Sequence, residues 1–410
     1  MYEDDYESEQ KNEEISTNIP SKFSLKKLEF GEENETILAM TTSKNYIFFL
    51  TKEHNILLVN SKTLEYMNES HSLPKPKEKN EYQEKDFDKI WTDLEGIHCI
   101  IRHNNTIYYL NSNNKNCIEL EMFKDKEICA VALDDRNTNN RTTNYFLAVD
   151  YNNKIYQCRI DIEKNEFTEQ DEVKEHIEKL MTLKITDSDE EENFDKKKSI
   201  LDRIYGIKFT HATNETLDKS KDSCYIIAVT RNKLYQFKGP GSSNFKQILS
   251  RYSKNKTIVN DACKYFPKTK NQFKVEFDIL YSNEKREVGK NKFKNFDVFK
   301  KFGWRTGSGY CFGDLDVFEY SSGLPKEIEK FTVVPFHKIT DKGIKEINAS
   351  PISVVHTVNH IYILYSDSLT VLSKITSNII HTEYLDKKYN LMILDKYAND
   401  KGVLLLSSED

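Results

Sequence analysis

The sequence predicts an all-β protein, a seven-bladed β-propeller with charged loop insertions and one short helix in an insertion. Short apolar runs rich in Ile, Val, Leu, Tyr and Phe recur along the chain, separated by Asn, Asp, Ser, Gly or Lys turns. One hairpin unit returns in YIFFLTKEHNILLVN, HCIIRHNNTIYYLN, YFLAVDYNNKIYQCRI, YIIAVTRNKLYQFKG and IYILYSDSLTVLSK. The length, 410 residues, then holds more strands than one sandwich accommodates.

The clearest strands are expected over 37–41, 46–51, 55–60, 97–102, 106–111, 145–150 and 154–160, and later over 224–230, 233–237, 273–281, 361–365, 369–374 and 402–406. The recurring hairpins are read as the inner strands of successive blades. Residues 1–20, opening MYEDDYESEQKNEE, form an acidic tail with too little apolar surface to order, and the propeller is expected over 21–410. Insertions are expected at about 71–88, 165–199 and 282–296. Within the second, Val173, Ile177, Leu180 and Met181 stand at helical spacing, which predicts a short amphipathic helix over 171–183. The charge run TDSDEEENFDKKK follows, and Ser188 within it has the acidic downstream context of a phosphorylation site.

Composition bounds the function. Apolar residues are 38% and charged residues 31%, but 23 Tyr and 23 Phe supply core and strand material. The net charge of -6 gives no field to gather a polyanion, so no nucleic-acid partner is expected. The N-terminus lacks the basic flank and apolar run of a secretory signal, and no stretch is long and apolar enough to span a bilayer, so a cytoplasmic protein is expected. The seven cysteines are scattered singly without a CxxC pair, which reads as buried reduced thiols.

The possible chemical constellations fall short. His98 and Cys99 point to opposite faces of a strand, and His103 finds no second cluster to complete a metal site. His356 and His360, four apart in β structure, do not converge as they would on a helix. The Gly-Ser-Gly of FGWRTGSGYCFG continues into a strand rather than a helix, so it reads as a tight turn with Gly307 or Gly309 at positive φ, not a phosphate loop. No catalytic residue, metal or cofactor is expected. Two alternatives stay open: a propeller enzyme of glycosidase or lyase type, for which Asp150 and Asp314 at strand ends are the candidate carboxylates, and an unrelated WD-type scaffold. The second lacks Trp-Asp signatures, with Trp91 and Trp304 the chain's two tryptophans.

Two segments go beyond the generic pattern. YIIAVTRNKLYQFKG (225–239), carrying Arg231, Leu234, Tyr235, Gln236, Phe237 and Gly239, resembles a strand pair in the propeller of the vacuolar protein sorting-associated protein eighteen family. FGWRTGSGYCFGDLD (302–316), carrying Trp304, Gly307, Gly309 and Gly313, resembles a second motif of that family, in the same order. Three further stretches are similar too: 90–111, 250–281 with its Phe-Pro pair, and 350–380 beginning Ser-Pro. The resemblance implies a non-enzymatic interaction propeller of a class C subunit of the HOPS and CORVET tethering complexes. Its partners would be the other complex subunits and the fusion machinery. Its place would be the cytosolic face of late endosomes and vacuoles or lysosomes. The family's long α-solenoid and RING zinc domain follow its propeller; this chain stops at Asp410 without CxxC pairs, so ubiquitin-ligase activity is not carried over.

Overall fold

The computed structural model describes residues 23, 36–67, 71–74, 88–113, 116–133, 145–161, 172–183, 203–212, 223–231, 233–240, 245–253, 258–261, 275–289, 292–306, 309–314, 331–339, 345–347, 350–394 and 402–407. The N-terminal tail, most of the expected insertion over 71–88 and the charge run around Ser188 lie outside them.

Antiparallel four-stranded sheets follow one another along the chain, each built in sequence order. Blade one holds β1 (Ile37–Thr42), β2 (Tyr46–Thr51), β3 (Asn55–Asn60) and β4 (His71–Ser72). Blade two holds β5 (Lys89–Thr92), β6 (His98–His103), β7 (Thr106–Asn111) and β8 (Asn116–Glu119). Blade three holds β9 (Ile128–Leu133), β10 (Tyr145–Asp150), β11 (Lys154–Asp161) and β12 (Glu172–Thr182). Blade four holds β13 (Gly206–Ala212), β14 (Ser223–Val229), β15 (Lys233–Pro240) and β16 (Ile258–Asp261), with helix α1 (Phe245–Ser253) between its last two strands. Blade five holds β17 (Phe277–Gly289), β18 (Lys292–Arg305), β19 (Gly309–Asp314) and β20 (Phe331–Pro335). A small hairpin, β21 (His337–Ile339) with β22 (Lys345–Ile347), leads to blade six: β23 (Ser353–His356), β24 (His360–Leu364), β25 (Ser368–Ser373) and β26 (Ile379–Tyr384). A last hairpin joins β27 (Tyr389–Leu394) to β28 (Val403–Ser407).

First strands of successive blades meet from β1 through β5, β9 and β13 to β17, and β27 meets both β23 and β1, so these strands line the axis. The expectation of seven blades is corrected: among the described residues there are six four-stranded sheets, and the two-stranded β27–β28 hairpin stands between blades six and one, with β27 against both β23 and β1. A second correction concerns the repeating hairpins. They are the central pairs β2–β3, β6–β7, β10–β11, β14–β15 and β24–β25, one place out from the axis. A third is local. Residues 172–182 form the edge strand β12, not a helix. Spacings of four satisfy a period of two as well as 3.6, so Val173 and Ile177 share one face of a strand. A register shift between Lys179 and Met181 then changes the phase, and Leu180 and Met181 pack toward blade four.

Central strands are buried on both faces, which is why they read as unbroken apolar runs. In β2, Phe48 and Leu50 join Cys99, Ile101, Tyr108 and Leu110 of blade two, whereas Ile47 and Phe49 pack toward Leu404 of the final hairpin. The same arrangement repeats between each pair of neighbours, and each fully buried Leu, Ile or Phe contributes about 1.5–3 kcal/mol. The turns carry their own chemistry. Asn104 and Asn105, φ 48° and 62°, close β6 on β7 as a two-residue turn with both central residues left-handed. The α-helix among the described residues is α1, whose Phe245, Ile248 and Leu249 pack into the core between blades three and four. Its Lys246 pairs with Glu178 of β12.

Because the blades share one strand order, the connections between first and second strands, and between third and fourth, emerge on one face of the disc. Blade five extends on this face. β19 pairs with β18 only from Lys301 onward, but β17 and β18 pair with each other out to Gly289 and Lys292. The result is a two-stranded arm from Tyr281 opposite Phe299 to that tip, roughly 25 Å long at about 3.3 Å per residue. Residues 282–289 and 292–296 of the expected Lys- and Asn-rich insertion lie within it. This side is called the arm face below.

Candidate functional site

Neighbouring blades are joined by polar contacts that take up the side chains a site would otherwise offer. Between blades one and two, Lys44 N donates to Leu94 O at 2.9 Å and Asn45 Nδ2 to Glu95 O at 2.8 Å. Between two and three, Arg102 reaches Ile128 O at 3.0 Å and the Tyr151 hydroxyl at 3.1 Å. Ile204 N, ahead of β13, donates to Asn153 Oδ1 at 2.9 Å across the next joint. Between the final hairpin and blade one, Thr42 Oγ1 donates to Leu394 O at 2.5 Å.

The densest joint lies between blades five and six. Glu276, one residue before β17, receives Arg305 Nη1 at 3.2 Å, Val354 N at 2.6 Å and the Ser353 hydroxyl. Arg305 also donates to Ile352 O at 3.0 Å and Pro351 O at 2.6 Å. A guanidinium and a carboxylate this enclosed are tolerated because each spends its hydrogen bonds on fixed partners. The Ser-Pro start of the 350–380 stretch is thus the receptor for the arginine beside Trp304.

The motif residues fall on this framework. Trp304 is buried in β18, packs with Ile227, Val229 and Leu234 of blade four, and donates Nε1 to Thr230 O at 3.1 Å. Arg231 stacks over Tyr205 with 5.2 Å from guanidinium to ring centroid. Leu234, Tyr235, Gln236 and Phe237 are buried along β15. Gly239 leaves room for α1, since a Cβ there would stand 2.5 Å from Ile248 Cγ1. Gly313 lies in β19, paired with Phe302 and Phe331. Gly309 begins β19, and its N–H donates to Thr306 Oγ1 at 3.2 Å. Of the two glycines expected to supply positive φ, Gly309 is laddered in β19 opposite Pro335, and Gly307 lies outside the described residues. Positive φ among the described glycines belongs to Gly96, after β5. The motif reading passed over Gly303, where a Cβ would strike the Tyr310 hydroxyl and the His356 ring. The local sequence Phe302-Gly303-Trp304 offers no signal for that contact, since His356 comes from another blade.

The structure does not bring the histidines and cysteines together as a site. His98 Nδ1 lies 2.7 Å from the Tyr109 hydroxyl, and burial pushes its pKa down to about 4. Cys99, on the other face, donates to Thr92 Oγ1 at 3.5 Å, and burial raises its pKa well above the usual thiol range. Cys311 is likewise raised by burial, to about 12. His103 instead meets His54 of blade one at 2.8 Å and Asp88 at 3.3 Å, a contact that no local spacing announces. His356 is buried beside Tyr310, its pKa lowered by burial first and then by Lys374 and Lys301, while His360 packs on Phe23 and Tyr362. Among the described residues, no three His, Cys, Asp or Glu are placed to hold a metal ion. Asp150 caps its own turn, accepting from Asn152 N at 2.8 Å, Lys154 N at 3.0 Å and the Tyr156 hydroxyl at 2.9 Å. Asp314 ends β19 of blade five, two blades away from Asp150 of blade three. No helix among the described residues is long and apolar enough to cross a membrane.

Comparison with known proteins agrees with this architecture. No curated protein matches the sequence. The β-propeller domain of Cps50 (Swd1) from Myceliophteria thermophila superposes with a TM-score of 0.50 over 92% of this chain and 96% of that one, at 6% identity, which shows a shared fold alone. The family described as the Pep3/Vps18/deep orange beta-propeller domain matches residues 21–398, and on that match the chain belongs to the Pep3/Vps18/deep orange β-propeller family.

Proposed function

We propose that this propeller is a non-enzymatic protein-interaction platform of a membrane-tethering complex, acting in vesicle docking and fusion and in vacuolar protein sorting on the cytosolic face of late endosomes and vacuoles. The observation that carries the reading is the family match over residues 21–398. The polar chemistry supports it: Glu276, Arg305, Arg102 and Asp150 are spent on joints and turns, and a rigid disc with its loops outward is the usual scaffold for recognition. Arg231, Leu234, Tyr235, Gln236, Phe237, Gly239, Trp304, Gly309 and Gly313 act as blade anchors, and partners are read by the surface they support. Its partners are the other class C subunits and the fusion machinery. Affinity capture of the tagged chain with mass spectrometry tests this: class C subunits are the expected recovery. Recovery of nuclear or ribosomal assemblies in their place would refute it.

A further inference from the structure

The large apolar side chains that stand exposed among the described residues are unevenly placed. Met67, Tyr145, Val358, Ile375 and Ile380 lie at the arm face, and Tyr384 lies at the opposite one. Blade six concentrates them. Val358 occupies its first turn and Ile375 its third, and Lys374 N donates to Asn359 O at 2.9 Å, which fastens the two turns side by side. Ile375 is 87% exposed, yet its backbone is held: its N–H and that of Thr376 donate to Ser373 Oγ at 3.2 and 3.3 Å. A rigid turn that offers an isoleucine to water loses free energy in isolation and gains it only against an apolar surface.

Blade five sets the arm beside this patch. Over 281–289 and 292–301 the sequence carries Lys285, Arg286, Lys292, Lys294, Lys300 and Lys301 against Glu284, Glu287 and Asp297, a local excess of cations in a chain of net charge -6. Arg286 and Lys294 are register partners across the ribbon. Phe293, Phe296 and Phe299 interleave with these lysines.

We propose that the arm face, at blades five and six, docks on an anionic lipid bilayer: Val358 and Ile375 enter the interfacial layer, and the cations of the arm meet lipid phosphates. A bilayer fits better than a peptide because exposed apolar turns of blade six and the cation-rich arm sequence of blade five share one face, the combination of apolar and basic groups that an anionic interface takes up. Basic residues interleaved with aromatic ones are the composition that such an interface selects. This goes beyond the reading of the propeller as a protein platform and does not depend on any particular subunit.

Flotation of the full chain with vesicles tests it, using phosphatidylcholine alone or with about a third phosphatidylserine. The chain floats with the anionic vesicles and not with the neutral ones, and salt weakens the binding. Ile375→Asp, at a position too exposed to disturb folding, lowers binding about tenfold or more. The triple change Arg286→Glu, Lys292→Glu and Lys294→Glu lowers it further, each reversed charge counting for at least about fivefold. Tyr384→Asp on the opposite face leaves it unchanged. Equal flotation with both vesicle types overturns the proposal, as does wild-type binding by Ile375→Asp with an unaltered melt. Subunit capture by Ile375→Asp separates the two readings. Retained capture with lost flotation supports lipid docking, and lost capture with flotation intact makes the patch a protein interface, overturning lipid docking while the platform reading stands.

Discussion

Trp304 shows how one residue couples two blades, because its ring fills the space beside Ile227, Val229 and Leu234 while its Nε1 holds Thr230 O. Trp304→Ala is expected to cost about 3–5 kcal/mol by leaving a cavity. Trp304→Phe keeps most of the packing and isolates the hydrogen bond, at about 1–3 kcal/mol. Urea unfolding of the two variants separates these contributions, and equal losses would show that the hydrogen bond dominates. His98 makes a pH prediction. Its folded pKa of about 4 lies below the unfolded value of 6.5, so the unfolded chain binds the extra proton between these values. His98 therefore opposes unfolding fully above about pH 6.5, and that stabilisation falls as the pH drops toward 4, by about 3 kcal/mol in all. His98→Asn, which does not titrate, is expected to show a shallower loss of stability between pH 7 and 5 in the same measurement.

At the scale of elements, the central hairpins were the most legible, because long apolar strands joined by Asn-rich turns leave a local signature; the expected 145–150 and 55–60 coincide with β10 and β3. First strands are harder. β9 lacks alternation because the neighbouring blades cover both its faces, so its placement depends on contacts made far away in sequence. β12 was mistaken for a helix for want of its bulges, and α1 was overlooked although Phe245, Ile248, Leu249 and Tyr252 keep helical spacing. Of the candidate site, the motif residues stood out in the local sequence, but Glu276, His54 and Gly303 did not, since a partner of each lies in another blade. The docking of α1 gives a clean test of an element. Gly239→Ala puts a methyl against Ile248, so α1 should lift from β15 at a cost of about 1–3 kcal/mol. The companion change Ile248→Val should recover part of that loss, and additive losses in the double variant would show that the two positions do not meet.

For the whole molecule, the β27–β28 hairpin holds the ring between blades six and one. It covers Tyr362 and Val371 on one side and Ile47, Phe49 and Leu57 on the other. Removing residues 388–410 exposes both sets, so the single cooperative melt of the full chain should broaden and the truncated chain should bind a hydrophobic dye. A sharp melt at the same temperature would mean that the six four-stranded blades stand without it. The joint from Thr42 to Leu394 also spans 352 residues of sequence. During synthesis at about 5–20 residues per second, blade one therefore waits roughly 20–70 s for the strand that covers it. Throughout that interval the nascent chain presents Ile47 and Phe49 to solvent, which makes the period before Leu394 emerges the one in which a chaperone is most needed.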